Sequence, residues 1–386
     1  MEATSTKIIL IGNYIPDRQE SMERFTVMLH DEFSANGVNS EIWRPVALFG
    51  AKFKNTNAGI GKWLGYIDKW ILFPLVLRYR VLFKNKKVSN VRYHICDHSN
   101  SPYLGHLPAD KTVITCHDVI AIRGGLGYTD YYQPASAFGK ILQKWILGNL
   151  KRAKQIACVS QYTLDQLIAL VPGSYTPDKD WQVILNTFNG DFRPIPPAET
   201  AALLAEAGLK PDTKYLLHVG SNLQRKNREM LLKMLVDLGD NWDGYICYSG
   251  KPIDEKLTQK VKELNMEHRV IQVIKPRHEV LRALYNGCYA FIFPSFAEGF
   301  GWPVIEAQAC GAPVIASNLQ PMPEVSGGAA IHANPADSQD FANALLLLKD
   351  TALRSNLIKA GFKNCERFEK TKITQQYLSM HGLNHN

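Results

Sequence analysis

Phe291-Ile-Phe-Pro-Ser-Phe-Ala-Glu298-Gly-Phe-Gly-Trp-Pro-Val-Ile-Glu306-Ala-Gln-Ala-Cys-Gly-Ala-Pro313 reads as the end of a strand, a glycine-bearing loop and the start of a helix. Pro303 is a residue that opens helices, because its missing N–H would be unpaired there anyway. Loop glycines followed by a helix amino terminus make an anion site, where phosphate can approach the backbone. Glu298 in the loop and Glu306 in the helix's opening turn have seven residues between them. Carboxylates so placed can accept hydrogen bonds from sugar and ribose hydroxyls. The plainer alternative has Glu306 complementing the helix dipole and Glu298 solvated.

Upstream, Tyr215-Leu-Leu-His-Val-Gly220 reads as a buried strand, followed by Ser-Asn-Leu-Gln-Arg225-Lys226-Asn227 and a helix for which Asn227 is the expected N-cap. Arg225 and Lys226 would then lie at the carboxyl end of a parallel strand, the edge where open α/β sheets bind ligands. An adjacent Arg and Lys can neutralise a diphosphate, one as a bidentate fork and the other as a point charge. Around these two stretches, short apolar runs alternate with helical ones along the chain. One strand series comprises Lys7–Ile11, Ser40–Arg44, Val91–Cys96, Lys111–Cys116, Gln155–Val159 and Gln182–Leu185. The other comprises Tyr215–Val219, Gly244–Tyr248, Val270–Val273, Ala290–Phe293, Pro313–Ala316 and Ala329–His332. Continuous apolar strands separated by helices indicate parallel sheets covered on both faces. Two series give two doubly wound α/β domains, which suits a chain of 386 residues at about 150 per domain. The turn-rich stretch 189–197 (NGDFRPIPP) marks the boundary: a first domain over 1–190, a second over 191–370, and a tail 371–386 packing back on the first.

The seven cysteines are scattered and form no CxxC pair, which excludes a zinc ribbon and a disulfide scaffold and suits a reducing, cytoplasmic setting. The acidic amino terminus and its run of four apolar residues do not make a signal peptide, and no apolar run approaches the roughly 20 residues of a spanning helix. Net charge is +8, yet the window from Lys62 to Arg92 holds eight basic residues against Asp68 alone. Trp63, Ile67, Trp70 and Ile71 recur there at helical spacing beside Arg80, Lys84 and Lys87, with Pro74 expected to divide the stretch into two short helices. Apolar residues beside clustered cations describe a segment lying on an anionic membrane surface; the alternative is ordinary core with a solvated face.

Together, FPSFAEGFGWPVIEAQACGAPVIAS with its Glu-x7-Glu spacing, HVGSNLQRKN, and Pro323-Glu-Val-Ser-Gly-Gly resemble the signature segments of the family-four retaining glycosyltransferases. Thr115-Cys-His117-Asp118 and Val159-Ser-Gln-Tyr-Thr163 resemble family positions in the first half. The resemblance implies the GT-B fold: two Rossmann-like domains facing across a cleft, with the nucleotide sugar held mainly by the second. It implies that Arg225 and Lys226 hold the donor diphosphate beside Gly220 and that Glu298 contacts the transferred sugar near the amides of Gly299, Phe300 and Gly301. It further implies that Glu306 binds the ribose and that His117 faces the sugar from the first domain. A retaining front-face displacement follows from it, with a GDP- or UDP-sugar as co-substrate, no other cofactor and no metal. Ser221 stands where many relatives carry an arginine, and Gly12-Asn-Tyr-Ile-Pro replaces their Gly-Gly pair.

The expectation is therefore a nucleotide-sugar-dependent hexosyltransferase acting on a hydroxyl of a glycan or lipid-linked acceptor, peripheral on the cytoplasmic face of the membrane. The alternative is a non-catalytic GT-B protein that binds nucleotide or glycan, against which both glutamates and the Arg-Lys pair argue. A nucleic-acid partner is not expected, since the charge is confined to one Trp- and Leu-rich segment without a recognisable motif. Gly59-x-Gly61 followed by Gly65 is not a dinucleotide fingerprint, no GxxxxGK[ST] loop occurs, and Asp178-Lys-Asp180 reads as a solvated turn rather than a metal site.

Overall fold

The computed structural model describes residues 6–53, 56–84, 90–129, 135–210 and 212–383. The chain forms two compact units. The first comprises residues 1–128, 134–189 and 370–386, and the second residues 129–133 and 190–369.

In the first unit, β1 (Lys7–Ile11), β2 (Asn39–Trp43), β3 (Val91–Ile95), β4 (Thr112–Cys116), β5 (Gln155–Cys158) and β6 (Asp180–Val183) form one parallel sheet in the order β2-β1-β3-β4-β5-β6. Ile9 and Ile11 join the core on one face and Ile8 and Leu10 the core on the other, as side chains of alternating direction must on a doubly covered sheet. The carboxyl-terminal helix Lys370–Met380 adds Ile373, Tyr377 and Leu378 to the second of these cores, and the Met380 carbonyl accepts a hydrogen bond from Gln155 Nε2 at 2.9 Å.

In the second unit, β7 (Tyr215–Gly220), β8 (Tyr245–Gly250), β9 (Val270–Ile274), β10 (Ala290–Phe293), β11 (Val314–Ser317) and β12 (Ile331–Ala333) pair in parallel in the order β12-β11-β10-β7-β8-β9. Leu216, Ile246, Ile292 and Ile315 face one core, and Tyr215, Leu217, Phe291 and Phe293 the other. The two expected strand series are thus both present, and each makes a doubly wound sheet. In each sheet the chain winds outward and then returns to the other side of its first strand. That reversal opens a crevice at the carboxyl ends of β1 and β3 in one sheet, and of β7 and β10 in the other.

Three local expectations are corrected. Asn227 is not an N-cap: it adopts the left-handed conformation (φ 53°) ahead of a helix that starts at Glu229. Its amide instead donates to the carbonyls of Pro294, at 3.2 Å, and Pro335, at 2.7 Å, which ties three loops together. Glu306 lies in the second turn of helix Trp302–Ala309, too far along to complement its amino terminus. Pro74 does not split its segment, because the helical run from Gly59 to Lys84 continues through it. A widened π-helical turn at Asp68–Leu72 precedes the proline, and it absorbs the defect that the missing N–H would otherwise create.

Candidate functional site

The loop after β7 and the loop after β10 meet at the switch point of the second sheet. The Phe296 N–H donates to the Arg225 carbonyl at 2.8 Å, so the two loops are stitched backbone to backbone. Arg225 Nη1 donates to the Ala297 carbonyl at 2.7 Å and lies 2.7 Å from Glu298 Oε2. Lys226 Nζ takes the other carboxylate oxygen at 2.5 Å and sits 5.0 Å above the Phe293 ring. Glu298 is only 8% exposed. Burial alone would raise its carboxyl, but the charges and hydrogen bonds of Lys226 and Arg225 outweigh it and hold the group at about 2. The three charges leave one net positive charge at the mouth of the crevice.

Glycine is required at one point around this triad and fits closely at a second. Gly301 has φ +101°, and a Cβ there would lie 2.6 Å from Met322 Cε. Gly220 ends β7, and a Cβ there would press to 3.2 Å on His218 Nε2. Gly299 and Phe300 are buried within the same loop. Glu306 is 6% exposed and accepts a hydrogen bond from Tyr285 Oη at 2.8 Å. The structure therefore brings Arg225, Lys226 and Glu298 together, with Gly220 beneath and Gly299, Phe300 and Gly301 beyond, and seats Glu306 separately on the helix that follows.

His117 belongs to the first unit, just past β4. Its Nε2–H donates to the Cys96 carbonyl at 2.9 Å, and its ring stands edge-on to Phe25 at 4.7 Å. Burial pushes its pKa below the ordinary histidine value against the pull of Asp97, so it is neutral at pH 7.

Residues that the sequence reading passed over complete both crevices. Asp97, beyond β3, accepts from Asn13 Nδ2 at 2.6 Å and from the Ser99 N–H at 2.9 Å, and Asn100 Nδ2 donates to Asn13 Oδ1 at 2.8 Å. Asp97 is buried, which would raise its carboxyl, yet His98, His117 and these donors keep it below the ordinary value. Asn13 and Asp97 directly follow strands that flank the reversal, the position rule that located Arg225, and that rule would have found them. Beside them a cavity of about 300 Å³ opens, lined by Asn13, Tyr14, Ile15, Arg18, Glu20 and Arg24 among others. In the second unit, buried His218 donates from Nδ1 to the Ile292 carbonyl at 3.0 Å and is held neutral, at about 3, by burial and the nearby Arg228 and Lys226. Asp178 is exposed, with Thr176 Oγ1 donating to it at 2.6 Å, while Asp180 opens edge strand β6.

Residues 201–364, which contain the whole triad, match the family model described as glycosyl transferases group 1. The chain is also 28% identical over 330 residues, 84% of its own length and 83% of the relative's, to O-antigen chain mannosyltransferase B of Escherichia coli. The chain is a glycosyltransferase, and its residues 201–364 are similar to the group 1 enzymes. Its fold is GT-B, the fold of two similar solved structures. Sucrose-phosphate synthase from Thermosynechococcus elongatus has a TM-score of 0.73, 20% identity and 98% coverage of both chains. Anabaena HepE in complex with UDP and glucose has a TM-score of 0.69, 15% identity and coverage of 97% and 98%. In this glycosyltransferase the family match and the triad share one unit, and the first unit lies outside the residues matched.

Proposed function

We propose that this glycosyltransferase transfers a hexosyl group, with retention of anomeric configuration, from a nucleoside-diphosphate sugar to a hydroxyl of a lipid-linked glycan. The observation that carries the proposal is the Arg225–Glu298–Lys226 triad at the switch point of the second sheet. Arg225 and Lys226 would bind the diphosphate and stabilise the charge that builds on it as the glycosidic bond breaks. Fixed cations in a buried site do this without reorganising at the moment of reaction. Glu298, fully ionised above about pH 4, would accept hydrogen bonds from the transferred sugar. Glu306, braced by Tyr285, would hold the ribose hydroxyls, and His117, neutral, would meet sugar hydroxyls as an uncharged imidazole. A departing diphosphate oxygen can take the acceptor's proton on the same face, so the mechanism needs no separate base. Mannose from GDP-mannose is the first donor to test, since the Escherichia coli relative is an O-antigen chain mannosyltransferase.

Membrane docking of the first unit is the second part of the proposal. Ile60, Trp63, Ile71 and Leu75 are exposed on the run 59–84, and Phe138, Ile141 and Trp145 on helix Ala137–Arg152. The two sets adjoin: Trp63 lies 5.1 Å from Phe138, and Trp70 lies 5.3 Å from Trp145. Helix Ala137–Arg152 adds Lys140, Lys144, Lys151 and Arg152 and no acid. Within the expected basic window, Lys69 is buried in an ion pair and Lys84 pairs with Glu41, while Lys86 and Lys87 lie outside the described residues. The cations facing solvent beside the apolar face therefore come from both helices. An apolar face rimmed by cations suits an anionic leaflet, and among the described residues no helix is long and apolar enough to cross a membrane.

The test is a panel of radiolabelled GDP-mannose, UDP-glucose, UDP-galactose and UDP-N-acetylglucosamine with a lipid-diphosphate-linked saccharide as acceptor. Transfer of label to the lipid fraction from one donor, with an anomeric centre matching the donor's by NMR, is the expected result. No transfer from any donor refutes the donor assignment, and an inverted centre refutes retention.

A further inference from the structure

Asp68 and Lys69 are consecutive charges on a helical run whose outer face is apolar, and both are buried, at 0% and 8% exposure. They fall on the π-helical turn Asp68–Leu72, whose wider winding turns both side chains inward. Asp68 accepts from Tyr14 Oη at 2.6 Å and from the N–H groups of Leu48, Phe49 and Gly50 at 3.1, 3.0 and 2.8 Å. Lys69 Nζ donates to Asp17 Oδ2 at 2.6 Å and lies over the rings of Tyr66, at 4.9 Å, and Tyr14, at 5.6 Å. Thr56 Oγ1 donates to the other oxygen of Asp17 at 2.5 Å.

Two glycines permit this approach. A Cβ on Gly65 would lie 3.1 Å from Thr56 Cβ and 3.3 Å from Tyr14 Cε1, and one on Gly50 would run into Tyr14 Oη. Gly61 and Gly65, which have no place in a dinucleotide fingerprint, are the buried residues of this helix, and Gly65 is where Tyr14 of the loop after β1 rests. That loop lines the 300 Å³ cavity through Tyr14, Ile15 and Arg18, the last held at φ 53° directly beside Asp17.

We propose that Asp17 and Lys69 are a positioning pair: they fix the loop after β1 in the shape that receives the acceptor, and anchor it to the helical run that carries the exposed apolar face. The inference rests on the proposed function, in which the second unit holds the donor, and assigns the acceptor to the first. A buried ion pair is a poor way to gain stability, since apolar residues of equal volume commonly do as well. It does impose one geometry, and here the geometry imposed is that of a cavity wall. Acceptor recognition and contact with the lipid surface would then be coupled through a single side chain.

The test uses the full chain with GDP-mannose as donor and octyl α-mannoside as acceptor, comparing Lys69→Met, Lys69→Arg and Asp17→Asn with the unaltered enzyme. Lys69→Met is expected to raise the acceptor KM about tenfold or more, while donor KM and donor hydrolysis without acceptor stay within about twofold. Lys69→Arg should restore most of the loss, and backbone amides 13–24 should exchange about tenfold faster in Lys69→Met. A purely structural role lowers only the active fraction, so a drop in kcat with both KM values unchanged overturns the proposal. Unaltered kinetics overturn it as well. If Lys69→Met does not fold, Asp17→Asn, which keeps the shape of the pair, carries the same test. Failure of the unaltered enzyme to use any donor and acceptor refutes the functional reading itself, whereas an active enzyme with indifferent variants refutes only the positioning pair. Amide exchange decides in either case.

Discussion

Glu298→Gln preserves the shape of the triad and deletes its one negative charge. The two cations hold the Glu298 carboxyl at about 2, against 4.5 for an ordinary glutamate. That gap corresponds to about 3 kcal/mol favouring the ionised form in the folded protein. The group is 8% exposed, so solvent screening takes little from the figure. A loss of this size also agrees with the cost of stranding one side of a buried pair, about 3–5 kcal/mol. For a unit of this size it corresponds to a Tm lower by roughly 6–12 °C at pH 7. The sign with pH follows from the direction of the shift. A carboxyl whose folded value is depressed contributes fully above its unfolded value and loses that contribution as pH falls toward about 2. The gap between the two proteins should therefore be constant above about pH 5.5 and close on acidification. Nucleoside diphosphate should in turn raise the Tm of Glu298→Gln more than that of the unaltered enzyme, because the ligand replaces the missing anion. Turnover should fall about a hundredfold, since the sugar loses its partner. Calorimetry from pH 7 to pH 3, with and without GDP and UDP, measures all of this. A Tm change under about 1 °C at pH 7, or a gap that persists undiminished at pH 3, would refute the triad as the structure draws it.

Arg225→Ala combined with Lys226→Ala should lower turnover by about three to four orders of magnitude; a folded double variant with near-normal transfer would show that the diphosphate binds elsewhere. Glu306→Gln should raise the donor KM about tenfold and leave kcat nearly unchanged, because ribose contacts persist in ground and transition states alike, and an effect confined to kcat would remove Glu306 from the ribose. Burial depresses the folded-state pKa of His94, His117 and His381, so urea midpoints should fall as pH drops below about 6.5, and His117→Gln should flatten part of that dependence; a midpoint that rises on acidification contradicts their neutrality. Sedimentation with vesicles containing anionic lipid should capture the protein at low salt and much less at high salt, and Trp63→Ala with Trp145→Ala should weaken capture about tenfold or more; equal, negligible binding under both conditions would make this face an ordinary surface.

Strand content, sheet class and the Arg225–Lys226 and Glu298 loops were legible in the chain because each rests on local pattern. Ile8–Ile11 is apolar throughout since both faces of its strand are covered, and Glu298-Gly-Phe-Gly301 is glycine-rich because Met322 leaves no room for a Cβ at position 301. What escaped the sequence depends on contacts between distant segments. The ion pair between Lys226 and Glu298 spans 72 residues, and that between Lys69 and Asp17 spans 52. Neither has a periodicity that could be read off the chain. Asn227 illustrates the same limit. Its residue type favours an N-cap, but tertiary demand won: two carbonyls at Pro294 and Pro335 needed a donor, and a left-handed residue was needed to turn the loop.

The basic window shows why composition misleads about such contacts. Counted by sequence, Lys69 is one more cation on a surface patch; in the fold it is turned inward by a π-helical turn and neutralised by Asp17. In the proposal, part of the charge offered to a lipid surface comes instead from a helix some 70 residues further on, where Lys140, Lys144, Lys151 and Arg152 are exposed on the same helix as Trp145. A lysine counted toward surface charge thus serves as an internal strut, and the surface that faces lipid in the proposal is assembled from two segments that no window in the sequence contains. The same π-helical turn that spares the run from breaking at Pro74 supplies the strut, so this irregularity of the helix accounts for both its continuity there and its attachment to the loop beside Asn13 and Asp97.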